Sequence, residues 1–226
     1  MHLSIIIPAL NEADHIVAAL APLQPMRERG AEVILVDGGS RDATVALASS
    51  RVDRIIIGEP GRARQMNAGA AAASGDVLVF VHADSLLPDG GDRLIADALA
   101  GSQSIWGRFD IAITGRHFML PVIGWFMNQR SRLTGIATGD QGLFVTRAAF
   151  EGIGGFPDQP LMEDIEICRR LKSSGPPACI RERMTTSGRR WERHGVWRTI
   201  LLMWWLRLRY WLGASPESIH RAYYGK

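Results

Sequence analysis

The chain opens on an apolar run, "LSIIIP", and three more follow within the first hundred residues: "AEVILVD", "DRIIIG" and "DVLVFVHA". Each is short and rich in β-branched residues, which predicts a buried strand. Between them, apolar positions recur at helical spacing. "EADHIVAALAPL" predicts a helix capped by Asn11, "RDATVALAS" a short helix after the turn "GGS", and "GRARQMNAGAAAASG" an alanine-rich helix closed by Gly75. Strands this apolar, alternating with helices, predict an α/β fold: an open, mostly parallel sheet flanked by helices on both faces.

After Asp110 the alternation weakens. "SIWGRFDIAIT" reads as a strand and "FMLPVIGWFMNQRSRL" as an amphipathic helix interrupted by Pro121. "GDQGLFVTRAAFEGIGGF" reads as strand, short helix and glycine-rich turn, and "LMEDIEICRRLKSSG" as a helix with a glycine stop signal. The tail "RRWERHGVWRTILLMWWLRLRYWLG" ends at Gly213. The expected organisation is one domain over 1–226, with a nucleotide-binding half (1–100), an acceptor-side half (101–180) and a basic, tryptophan-rich helical tail (181–226).

In open parallel sheets the ligand sits beyond the carboxyl ends of the strands. That rule gathers Asn11 and Glu12 after the first strand, Asp37 after the second, and His82 and Asp84 after the fourth. His82 and Asp84 stand two residues apart, about 6.6 Å at ~3.3 Å per extended residue. Both grip one ion directly only if the strand end bends. Otherwise Asp84 binds a hard cation such as Mg²⁺ or Mn²⁺, with His82 contributing through a ring nitrogen or a water. The plainer alternative makes Asp84 a turn cap and His82 an interior polar residue. Asp37 before Gly38 and Gly39 reads equally as a turn former. Arg62 and Arg64 flank a helix start that favours anions, or form a solvated basic face. Glu163 and Asp164 begin a helix, where carboxylates are common; either is a general base if it reaches the site.

Composition changes this picture little. With 226 residues, 46% apolar and 22% charged, the chain is long enough for a full core. No signal peptide is visible and no apolar run is long enough to span a bilayer, so a cytoplasmic protein with reduced Cys168 and Cys179 is expected. Charge placement matters more. Residues 181–226 hold ten Arg or Lys against three Glu, a net +7, which leaves −4 on the rest of a chain of net charge +3. A basic tail implies an anionic partner. No zinc-finger spacing, basic-zipper heptad or RNA-binding aromatic motif accompanies it, which argues against nucleic acid and for a phosphorylated substrate or a membrane surface.

The first strand lacks the glycine-rich loop that a dinucleotide fold or a sugar nucleotidyltransferase would want. It carries "PALNEADHI" instead. With "VDGGSRDAT", "GRARQMNAG", "HAD" and "EDIEI" in order, the chain resembles the family 2 glycosyltransferases of GT-A fold, and within them the small single-domain subgroup termed radical-SAM/selenodomain-associated transferases. The resemblance implies that Pro8, Leu10, Glu12, Asp37, Gly39 and Asp42 line a nucleotide pocket. It sets Arg62, Arg64 and Asn67 near the base and diphosphate of a nucleoside-diphosphate sugar, UDP being the commonest. The family's D-x-D maps onto His82, Ala83 and Asp84, with histidine replacing the first aspartate, so Asp84 and His82 are the expected metal ligands for Mn²⁺ or Mg²⁺. A neutral His82 ligand would make affinity fall as pH drops through roughly 6.5.

The resemblance also makes Asp164, beside Glu163, the base that deprotonates an acceptor hydroxyl for inverting transfer. It places Asp140 and Gln141 of "GDQG" between donor and acceptor, and Arg190, Trp191 and Arg193 over the donor diphosphate. The tail at 197–212 suits an interfacial helix on the inner membrane face, near a lipid acceptor, or a helix packed on the domain or across a homodimer. Two rival functions stand beside transfer: a sugar nucleotidyltransferase, and a non-catalytic sugar-nucleotide sensor or membrane-docked scaffold, the latter favoured by His82.

Overall fold

The computed structural model describes residues 1–225. Strand β1 (Leu3–Ala9) leads to helix α1 (Ala13–Leu20), the short α2 (Gln24–Glu28), β2 (Glu32–Asp37) and α3 (Thr44–Ala48). Strand β3 (Arg54–Ile57), α4 (Arg62–Ala72) and β4 (Val77–Phe80) complete a parallel block. Then come β5 (Ser85–Leu86), α5 (Gly91–Ala100), β6 (Trp106–Thr114), α6 (Leu120–Thr134), β7 (Leu143–Thr146) and α7 (Arg147–Gly152). The chain continues through α8 (Glu163–Lys172), β8 (Ala178–Ser187), α9 (Arg189–His194), α10 (Val196–Trp211) and α11 (Pro216–Tyr224).

One eight-stranded sheet runs β3-β2-β1-β4-β7-β6-β8-β5. The inner positions of β1, β2 and β4 are apolar because both faces are covered, whereas edge strand β3 is only half-buried. Ile5, Ile7, Val33, Leu35, Val77 and Val79 enter one core cluster, while Ile6, Ile34, Val36, Leu78 and Phe80 enter the other. The sheet is more mixed than the apolar runs predict, since β4–β7, β7–β6 and β8–β5 are antiparallel. Those reversals build the site. Phe80 at the end of β4 pairs with Leu143 at the start of β7, so the segment before β7 lies beside the segment after β4. Ser85 pairs with Thr186, so the end of β8 comes to the same place.

Several local expectations are corrected. Asn11 does not cap α1: it adopts φ 54°, and its Oδ1 accepts a hydrogen bond from Arg41 N–H instead. Asp42 takes over, accepting from Ala13 N–H at 3.1 Å. Pro121 does not interrupt its helix but sits in the first turn of α6, where proline has no amide to lose. Helix α4 ends at Ala72, and Gly75 serves a close approach to β1, where a Cβ would lie 2.7 Å from His2 O. Helices α5 and α11 and strand β8 went unpredicted, and β8 takes up 181–187, the expected start of the tail.

Buried Gly107 in β6 has no room for a side chain, because a Cβ would fall 2.3 Å from Ala178 O and 2.4 Å from the Phe144 ring. Gly107→Ala is therefore expected to destabilise the protein by about 1–3 kcal/mol, the cost of overpacking. Urea unfolding monitored by tryptophan fluorescence reads the loss directly.

Candidate active site

The chain turns sharply after β4, where Ser85 N–H donates to His82 O at 3.0 Å. That bend removes the spacing problem of an extended H-x-D. One ligand atom each from His82, Asp84 and Asp140 now lie within 4.8 Å of one another. Asp140 arrives from the short helical turn before β7, and its Oδ1 stands 3.3 Å from His82 Nδ1. Gly139 makes the approach feasible, since a Cβ there would strike the imidazole at 2.3 Å. Two carboxylates and one imidazole form a donor set suited to a divalent cation of the Mn²⁺ type. These three residues fit the metal that the resemblance implies, with Asp140 a ligand candidate the D-x-D spacing does not reveal.

Helix α8 brings the acidic pair to the other side of this loop. Its first turn is preceded by Met162 at φ 67°, a left-handed residue that swings the chain inward. Glu163 is buried and faces Arg62 Nη1 at 3.4 Å. Asp164 Oδ2 accepts from Gly139 N–H at 3.2 Å, and its Oδ1 accepts from Ile165 N–H at 2.8 Å. Burial first, and the Glu163 charge second, push the Asp164 carboxyl up to about 6 against the pull of Arg62. Burial would also lift Asp140, but His82 and Arg62 hold its carboxyl below the usual range. Two nearby carboxylates thus differ in proton affinity, a division found where one acts as base and another holds charge. His82, Gly139, Glu163 and Asp164 line a small cavity floored by Met66, Phe80 and Cys168. Both cysteines are free, and burial raises the Cys168 thiol to about 12, which leaves it inert.

The tail contributes a residue that sequence reasoning missed. Arg189, directly after β8, places Nη2 2.9 Å from both oxygens of Glu12 and 3.4 Å from Asp84 Oδ2. Gly188 permits this, because a Cβ would collide with Thr114 O at 2.2 Å. Arg190 instead stacks over the Tyr223 ring at 3.7 Å, and burial raises that phenol to about 12. Trp191 packs against the core and Arg193 is exposed. The run "GRRWER" alternates nothing that would single out its first arginine; only the β8–β5 pairing does.

Other predicted residues are placed less directly. Asp37 is buried and spends its carboxylate on its own turn, Oδ2 accepting from Gly39 N–H (2.9 Å) and Ser40 N–H (2.8 Å), and Oδ1 taking Ser40 Oγ. The turn-forming alternative describes these contacts. Pro8 and Ala83 are buried, and Leu10 and Gly39 are exposed at the rim. Arg64 pairs with Glu59 and Asp158 on the surface, away from the cluster's partners. Asn67 clamps both backbone groups of Phe156. Gln141 is fully buried, its side-chain amide serving structure by donating Nε2–H to Ser131 Oγ at 3.0 Å. In the same helix as Arg62, Gln65 ties β1 to β2 by donating to Ala9 O and Val36 O, each at 2.8 Å.

Comparison with known proteins agrees with this architecture. Residues 4–152 match the sequence profile described as Glycosyl transferase family 2. The succinoglycan biosynthesis protein ExoA of Rhizobium meliloti is 35% identical over 112 residues, which cover 45% of this chain and 34% of ExoA. The chain thus matches about a third of that relative's length. Among solved structures, S. aureus TarS 1–349 in complex with UDP superposes with TM-score 0.68 at 17% identity, over 83% of this chain and 60% of that one. Glucosyl-3-phosphoglycerate synthase from Mycobacterium tuberculosis, in complex with Mn²⁺ and UDP-glucose, gives TM-score 0.60 at 21% identity over 82% and 70%.

Proposed function

The chain belongs to the family 2 glycosyltransferases, and from that premise we propose that it moves a sugar from a nucleoside-diphosphate sugar to a hydroxyl acceptor with inversion. Asp164 takes the acceptor proton. The freed oxygen forms a bond to the anomeric carbon, whose bond to the diphosphate oxygen breaks, and the electron pair leaves with the nucleoside diphosphate. The observation that carries this reading is the placement of Asp164: it hydrogen-bonds to Gly139, next to Asp140 of the donor cluster, with its carboxyl raised to about 6. A base of that affinity is ionised at neutral pH yet strong enough to accept a proton.

His82, Asp84 and Asp140 would hold Mn²⁺ or Mg²⁺, which supplies charge neutralisation to the departing diphosphate when bound. Arg62 stands on Glu163 and would face the same phosphates. Mn²⁺ with UDP-glucose in a structural neighbour, and UDP in another, make a uridine donor the first to test. Calorimetric titration of UDP and GDP, with and without Mn²⁺, tests the reading. Metal-dependent binding of either supports it, and binding of neither sinks the uridine and guanosine donors.

Arg189 is assigned here to the leaving diphosphate, which would draw its guanidinium from Glu12 and Asp84. Arg189→Ala is expected to weaken UDP binding about 10–100-fold, the worth of one charge-assisted phosphate contact. Unchanged affinity in the same titration removes it from the donor site.

A further inference from the structure

Helix α10 rests its inner side on the domain through Val196, Thr199 and Leu206. Its outer side carries Trp197, Leu201, Trp204, Leu208 and Trp211, with Trp204 71% and Trp211 79% exposed. At 100° per residue these five fall within about 80° of arc, and Trp205 and Leu212 widen the stripe to about 120°. Arg207 flanks one edge of that stripe, and Arg198 and Arg209 the other. Among the described residues no ion pair involves any of the three, and Arg209 stacks on Trp205 at 4.7 Å. A second exposed apolar face belongs to α6. Helix α6 buries Leu120 and Ile123 in the cluster that receives Val196, and turns Val122, Trp125 and Phe126 outward, with Phe118 just before it. Arg116 N–H, before α6, donates to Glu192 of α9, joining the two ends.

We propose that the outer faces of α10 and α6 form an interfacial docking surface for an anionic lipid leaflet. Tryptophan with flanking arginine is the composition of a helix lying at the headgroup level, rings among the acyl chains and guanidinium groups at the phosphates. No helix among the described residues is long and apolar enough to cross a membrane, so the face would lie on the surface. Charge selects the occupant. Arg198, Arg207 and Arg209 edge the stripe, and neither α10 nor α6 contains an acidic residue; a second copy related by a twofold axis would set this basic face against itself, whereas anionic headgroups neutralise it. The inference is independent of the transferase reading, because vesicle binding needs neither donor nor turnover.

Flotation of the full chain with phosphatidylcholine vesicles, with and without phosphatidylglycerol, tests it, alongside light scattering for mass. Expected is flotation with the anionic vesicles, weakened by salt and accompanied by a blue shift of tryptophan emission. W204E/L208E abolishes it, with UDP affinity and far-UV circular dichroism as controls for folding. The triple variant R198Q/R207Q/R209Q keeps every tryptophan and lowers partitioning on the order of 100-fold, about fivefold per arginine. No flotation, equal flotation on neutral vesicles, or a wild-type dimer that W204E/L208E converts to monomer would each overturn the proposal.

Discussion

Asp164→Asn should lower kcat by about 10³-fold, within the range general base catalysis supplies, while UDP affinity stays at the wild-type level. The amide keeps the shape of the carboxyl, and its one oxygen can still accept from Gly139 N–H while the bond from Ile165 N–H is given up, so binding geometry survives and the proton acceptor is lost. The wild-type rate should rise with pH through a limb near 6, the value to which burial and Glu163 push this carboxyl, and the variant's residual rate should lack that limb. Stability should move the other way. The folded-state value of about 6 lies above the ordinary 3.8, so the native protein binds this proton more tightly than the unfolded chain does. The carboxyl therefore costs stability that is absent below about pH 4 and complete above pH 6. Asp164→Asn should raise Tm at pH 7.5 and leave it nearly unchanged at pH 4. A non-catalytic sensor would keep its ligand response in this variant, so the retained binding must be read together with turnover: loss of turnover with retained UDP binding separates the two functions.

Asp84→Ala should weaken Mn²⁺-dependent UDP binding by at least about 100-fold. The donor cluster offers only three protein atoms, and loss of a carboxylate removes both a ligand and the charge that balances the ion. Its partner Arg189 keeps Glu12, so the change leaves no buried unpaired charge and the fold should hold. Titration of UDP at fixed Mn²⁺ checks it. If the variant binds UDP as tightly as wild type in the presence of metal, the cluster is not the metal site, and the arginines hold the diphosphate unaided.

Much of this was legible residue by residue. The four apolar runs announced β1 to β4; for β1, β2 and β4 a strand buried on both faces has no polar alternation to blur it, while β3, an edge strand, is only half-buried. The ends of those strands announced Glu12, His82 and Asp84 because open sheets expose their carboxyl edges. What was not legible was non-local. Strand β8, "ACIRERMTTS", has only three buried positions, Ile180, Met184 and Thr186, around an exposed run of Arg181, Glu182 and Arg183, so its composition reads as a tail. Only its pairing with β6 and β5 makes it a strand. Arg189 and Asp140 enter the site through antiparallel reversals that no local pattern encodes. Asp37 shows the converse: a strand-end aspartate can be spent entirely on its own turn, and spacing does not distinguish that from ligand binding.

The β5–β8 pairing also sets an order of events during synthesis. Ser85 is held by Thr186, at 3.1 Å between hydroxyls, across 101 residues of chain. The parallel block of β1 to β4 can gather as soon as Phe80 has left the ribosome. The turn carrying His82 and Asp84 has no partner strand until Thr186 follows, and at about 5–20 residues per second that delay is roughly 5–20 s. Until β7 follows at Leu143–Thr146 the nascent chain is a half-sheet with an open edge at β4, and the loop of His82 and Asp84 waits in water beyond that for Thr186. The candidate site is then completed in one late step, when the last strand slots between β6 and β5 and delivers Arg189 with it.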